Sequence, residues 1–113
     1  MDNEFEVVFF CNLNGKEPVK EWLAGLNKDE KYEISKDIAK VQIAYPLKMP
    51  LVKSLGGGIF EIRSKLNNKI SRIFFCLKER KIVLLHAFIK KTQETPQKEL
   101  NIVKERHKSI KGE

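Results

Sequence analysis

The sequence predicts one α+β domain, ordered strand-helix-helix-strand-strand-strand-helix, with a mainly antiparallel twisted sheet packed on helices. Three observations carry that expectation. Residues 53–96 contain three runs rich in Ile, Phe, Val and Leu, namely Gly58 to Ser64, Ile70 to Leu77 and Lys81 to Lys90, bounded by Asn, Lys or Glu clusters. Stretches with helical periodicity lie on both sides of them. The length of 113 residues, with 42% hydrophobic and 33% charged content, fits a single unit spanning 1–113.

Phe5 to Cys11 reads as a short, mostly apolar strand suited to burial within or beside the sheet. Asn14-Gly15 supplies a turn, and Pro18 fits the first helical position because its missing N–H would be unpaired there anyway. Val19, Trp22, Leu23 and Leu26 then follow the spacing of one buried helical stripe. A second helix opens with Asn27 as N-cap and Glu30 as its capping-box partner, buries Ile34, Ile38, Val41 and Tyr45, and stops at Pro46. Trp22 and Tyr45 are read as core residues, since each falls on an apolar stripe.

Residues 46–58, PLKMPLVKSLGGG, read as a connection in which the prolines favour extended backbone and the glycines permit a bend. There is no GxxxxGK[ST] pattern and no helix to follow, so a nucleotide-binding phosphate loop is not expected, although Lys48 and Lys53 could flank a nucleic-acid path from this segment. Asn67-Asn68 then suits a two-residue type I′ turn. That turn sets Leu66 against Lys69 and Arg63 against Arg72, and places Ile59, Glu61 and Arg63 on one face with Ile70, Arg72 and Phe74. Thr95-Pro96 reads as N-cap and first turn of a last helix with Leu100, Val103, His107 and Ile110 on one side and Lys98, Lys104, Arg106, Lys108 and Lys111 on its surface.

Charge divides the chain. Residues 1–45 hold six lysines against nine carboxylates, whereas residues 65–113 hold thirteen basic residues against five acidic ones. A basic half of this kind points to nucleic acid or another polyanion as partner. Cys11 and Cys76 lie in apolar runs without CxxC spacing and are expected to be reduced core residues. His86 and His107 show no ligand spacing, so neither a metal nor another cofactor is expected. The apolar runs are short of the roughly 18 residues needed to span a bilayer, and the acidic N-terminus has no signal-peptide character, so no membrane association and a cytoplasmic location are expected.

Two arginines opposed across a ladder repel one another by up to roughly 1 kcal/mol, so Arg63 and Arg72 require an anion. Glu61, on the same face, can bridge them, and a phosphate can serve both through bidentate hydrogen bonds.

The segments KSLGGGIFEIR at 53–63, SRIFF at 71–75 and LLHAFIKKTQETP at 84–96, with the weaker VKEWLAGL at 19–26, resemble the RelE/HigB-type toxins of bacterial toxin-antitoxin modules, in particular the phage-derived HigB-like branch. The resemblance covers nearly the whole chain. It implies a RelE-like fold and a toxin that cleaves mRNA at the ribosomal A site without a metal, restrained by a cognate antitoxin, which is expected to be a helix-turn-helix protein. The implied chemistry is attack of the RNA 2′-hydroxyl on the adjacent phosphate, leaving a 2′,3′-cyclic phosphate and a 5′-hydroxyl.

On that reading Arg63 and Arg72 stabilise the phosphate as charge builds, and Lys90 or Lys91 moves a proton. Lys53, Glu61, His86 and Phe88 contribute to RNA binding, with Glu61 organising Arg63. An even turn at Glu79-Arg80 brings Lys91 onto the arginine face, and an odd one brings His86, Phe88 and Lys90. The tyrosine or histidine near the chain end of some RelE-type toxins has no matching tyrosine here, which leaves Phe88, His86 or His107 to stack on a base. ParE toxins of the same fold inhibit DNA gyrase, and a non-catalytic nucleic-acid-binding module would also carry a basic face.

Overall fold

The computed structural model describes residues 5–44, 52–90 and 95–111. Its elements are β1 (Glu6–Phe9), α1 (Pro18–Ala24), α2 (Lys28–Ala44), β2 (Val52–Gly56), β3 (Ile59–Lys65), β4 (Ile70–Lys78), β5 (Lys81–Lys90) and α3 (Gln97–Lys111). The strands form one mixed sheet in the order β1-β5-β4-β3-β2, with β1 parallel to β5 and every other pair antiparallel. This is the expected α+β architecture with one further strand.

Two apolar cores flank the sheet. Val19 of α1 and Ile34 and Val41 of α2 pack with Ile62, Ile73, Phe75, Ile82 and Leu84 on one face, and Trp22, Leu23, Leu26 and Ile38 pack against that cluster. On the other face Val103 of α3, supported by Leu100 and Ile110, meets Ile59, Phe74, Cys76, Val83, Leu85 and Phe88. Both faces of β4 and β5 are therefore covered, which is why these strands read as nearly continuous apolar runs.

The local signals at α2 act as expected. The Glu30 N–H donates to Asn27 Oδ1 at 2.8 Å and the Asn27 N–H to Glu30 Oε1 at 3.4 Å, a reciprocal capping box. Pro18 opens α1. At α3 the carbonyl of Pro96, not Thr95, accepts the first helical hydrogen bonds, from Glu99 and Leu100, so the helix begins one residue later than its sequence suggests. Tyr45, Pro46 and Lys48 lie outside the described residues.

Four expectations are corrected. The segment read as a bend before the sheet contains β2, an edge strand that pairs Val52 with Ile62 and Lys53 with Glu61. Gly56, Gly57 and Gly58 reverse the chain into β3 with φ of 87°, 65° and 87°, values that side chains disfavour. Strand β1 ends at Phe9, which leaves Cys11 exposed on the following loop instead of in the core; Cys76 is buried. The Asn67-Asn68 connection has the expected length, with the Leu66 N–H donating to the Lys69 carbonyl at 3.0 Å, but neither asparagine adopts the positive φ of a type I′ turn. Finally, Arg106 faces the sheet rather than solvent, for a reason that lies in β5.

Candidate functional site

Strand β3 meets β4 in the register that the two-residue connection dictates, with Arg63 opposite Arg72 and Glu61 opposite Phe74. The next pairing carries a surprise. The β4–β5 turn is even, Lys78 facing Lys81 around Glu79-Arg80, and alternation from there pairs Phe75 with Leu84. The following pair is Phe74 with His86, so Leu85 is an extra residue. Such a β-bulge places two neighbouring residues against one and resets the alternation of everything beyond it. Parity on the arginine face is thus set by the bulge, not the turn. His86, Phe88 and Lys90 join Arg63 and Arg72 there, contrary to the assignment an even turn alone would give, while Lys91 lies outside the described residues.

The face is organised in rows. Lys53, Glu61, Phe74 and His86 form one; Arg63, Arg72 and Phe88 form the next; Lys65, Ile70 and Lys90 form a third. Glu61 is buried and uses both oxygens: Oε2 accepts from Arg72 Nη1 at 2.7 Å and Oε1 from Arg63 Nε at 3.2 Å. The like charges of the arginines are thereby bridged by the carboxylate between them. The two arginines differ in access. The Arg72 side chain is 1% exposed and that of Arg63 is 26% exposed, so Arg63 is the one that presents its guanidinium to solvent.

A pocket of about 360 Å³ opens over this pair, lined by Lys53, Leu55, Glu61, Arg63 and Arg72 from the sheet and by Thr95 and Leu100 from the start of α3. Lys53, Arg63 and Arg72 give the sheet side of the pocket three cations, and Leu100 of α3, with Thr95 ahead of the helix, lines it from the other element. Phe88 is buried in the α3-side core and stacks on Phe74 with centroids 6.0 Å apart, while His86 lies 6.1 Å from Phe88, so the phenyl ring is not presented for base stacking. His107 is half-buried on α3, with its imidazole over Gly58, where a Cβ would meet it at 3.6 Å.

Several residues escape the sequence reading. Lys65 shares the face because it pairs with Ile70, and Thr95 and Leu100 reach the pocket through the docking of α3. Glu99 Oε1 lies 2.5 Å from His86 Nε2, and Arg106 Nη1 lies 2.7 Å from the Leu85 carbonyl and 3.4 Å from His86 Nδ1. Burial lowers the Arg106 guanidinium below its ordinary value, an effect that the charge of Glu105 opposes. The available signal was the helical phase, since Glu99, Val103 and Arg106 share the inward side of α3. Among the described residues no three His, Cys, Asp or Glu side chains come together as metal ligands, and no helix is long and apolar enough to cross a membrane.

Comparison with known proteins gives one assignment. A family model described as phage derived protein Gp49-like (DUF891) matches residues 21–108, which include every described lining residue of the pocket and all of the Arg63-Glu61-Arg72 ladder. No curated protein matches the chain.

Proposed function

The chain belongs to the Gp49-like phage-derived family, a RelE/HigB-like family associated with the toxins of toxin-antitoxin modules, and from that premise we propose that it is a ribosome-dependent mRNA endoribonuclease that halts translation. The observation that carries this reading is the Arg63 guanidinium. It is held at Nε by a buried carboxylate and is directed to a pocket that Lys53 also lines.

In the proposed reaction the 2′-hydroxyl of an mRNA nucleotide attacks the adjacent phosphate, and the 5′-oxygen of the next nucleotide leaves. Arg63 neutralises the non-bridging oxygens as charge accumulates, the kind of electrostatic contribution whose loss costs roughly 10²- to 10³-fold. Glu61 and Arg72 keep that guanidinium in place, because a donor fixed beforehand need not reorganise during the reaction. Arg72, enclosed as it is, acts through Glu61 and not on the phosphate. Lys53 flanks the strand. Lys90 lies two residues beyond Phe88, roughly 7 Å along β5, and is the proton-transfer group on this face. His86 stands behind the pocket. The partner that restrains the toxin is an antitoxin of the helix-turn-helix type, and the site of action is the ribosomal A site in the cytoplasm.

The test is to add the purified protein to a translating extract and map mRNA 5′ ends. Codon-phased cuts that Arg63→Ala abolishes are expected. Intact mRNA combined with loss of DNA supercoiling would replace this reading with gyrase inhibition, and salt-dependent RNA binding without cleavage would reduce it to a binding module.

A further inference from the structure

The bulge at Leu85 does more than reset the face of β5. In a regular strand Leu85 and His86 would point to opposite sides, yet here Leu85 packs in the α3-side core and His86 pairs across to Phe74 on that same side. The bulge therefore offers α3 a backbone carbonyl and an imidazole at one spot. Two charged residues of α3, two turns apart and separated by the fully buried Val103, meet them there. Arg106 takes the Leu85 carbonyl and approaches His86 Nδ1, while Glu99 takes His86 Nε2. The Arg106 guanidinium also lies over the Phe10 ring, 5.5 Å from its centroid.

The donor chemistry of this cluster has only one consistent arrangement for a neutral ring. A guanidinium donates and never accepts, so Nδ1 facing Arg106 is the acceptor. The proton of the imidazole then resides on Nε2, where the Glu99 carboxylate receives it. Glu99 directly precedes Leu100, the residue of α3 that lines the arginine pocket.

We infer that Glu99 and Arg106 are positioning residues that hold His86 as the Nε2–H tautomer and fasten the first turns of α3 against the sheet, thereby fixing Leu100 in the lining of the pocket that also holds Arg63. Its catalytic part rests on the nuclease reading above; the clamp itself does not. Neither residue touches the reacting phosphate. Their contribution is geometric, and a misplacement of about 1 Å in a positioning element can cost on the order of 10²-fold in rate.

The variants Glu99→Gln, Glu99→Leu and Arg106→Met separate the possibilities. Glutamine retains an oxygen acceptor for Nε2–H and leucine does not, so Glu99→Leu is expected to slow mRNA cleavage by about 10²-fold and Glu99→Gln to restore most of it. Long-range ¹H–¹⁵N spectra in alkaline solution, with His107→Gln used to assign the two histidines, should show the His86 proton on Nε2 in the wild-type protein and in Arg106→Met, where Glu99 still accepts it, and a mixture of tautomers once Glu99→Leu is added to Arg106→Met. Amide exchange in the first turn of α3 should accelerate in Glu99→Leu and not in Glu99→Gln. A wild-type His86 protonated on Nδ1 would overturn the clamp. So would cleavage and exchange in Glu99→Leu that match wild type. If the wild-type protein leaves mRNA intact, the nuclease reading falls, and the spectra and the exchange rates still decide the clamp.

Discussion

Arg72 Nη1 lies 2.7 Å from Glu61 Oε2, with both side chains essentially excluded from solvent. A buried pair of this kind is costly to break from one side, because the remaining charge keeps its desolvation penalty and loses its partner, at about 3–5 kcal/mol. Arg72→Ala and Glu61→Ala are therefore expected to lower stability in urea denaturation by about that amount. Arg63→Ala, which removes the more exposed member, should cost about 1 kcal/mol or less while abolishing cleavage. Equal destabilisation by Arg63→Ala and Arg72→Ala would contradict the division of labour between them.

The cysteines give a second, simpler measurement. Cys11 is exposed and Cys76 is buried, and burial pushes the Cys76 thiol up, with Lys78 opposing. The thiolate is the reactive form. Iodoacetamide at neutral pH should modify one cysteine in the native protein, identified by mass spectrometry as Cys11, and two after denaturation. Labelling of Cys76 in the folded state would show that the α3-side core opens.

Ser64 and Ser71 pair across β3 and β4 on the face that meets α1 and α2, and both hydroxyls are buried without a hydrogen-bond partner. Such groups carry a desolvation penalty with no return. Ser64→Ala and Ser71→Ala should each raise the midpoint of thermal unfolding, by up to about 1 kcal/mol of added stability. A drop in the midpoint for both would mean that the hydroxyls are satisfied in solution.

Glu30 ties the α2 cap to the β3–β4 connection. Its Oε2 accepts from Lys69 Nζ at 3.0 Å, and that hydrogen bond, more than the one from Asn27, holds its carboxyl below the ordinary value of 4.5. A depressed folded-state value means that the unfolded chain binds the proton more readily, so the contribution is complete above the ordinary carboxylate range and disappears as pH falls through the lower folded value. The Tm difference between wild type and Lys69→Met should be present at neutral pH and vanish in acid. A difference that persists unchanged in acid would assign it to the lysine's packing instead.

How far the molecule was legible follows from which signals are local. The Asn27–Glu30 box, Pro18 and the length of the Asn67-Asn68 connection act within a few residues, and each works as read, including the opposition of Arg63 and Arg72. Strand β2 was missed because VKSLG lacks a clean alternation and sits between prolines and glycines. The bulge at Leu85 leaves no mark in an uninterrupted apolar run, since IVLLHAF fits a continuous strand equally well. What accompanies it is tertiary, the Arg106 guanidinium of α3 donating to the Leu85 carbonyl. For the same reason Arg106, one basic residue among many on that helix, could not be told from its solvent-facing neighbours.

The parallel pairing of β1 with β5 has a kinetic consequence. Val7 joins Ile82, and among the described residues the first strand pairs with no other strand, so its docking closes a loop from residue 7 to residue 82. Contacts so distant in sequence form late and slowly. During synthesis β1 must wait, without its β5 partner, until Lys81–Lys90 has emerged, and the pocket likewise waits for Leu100. The arginine pocket is therefore among the last features of the fold to be completed, after both the edge strand and the final helix have docked.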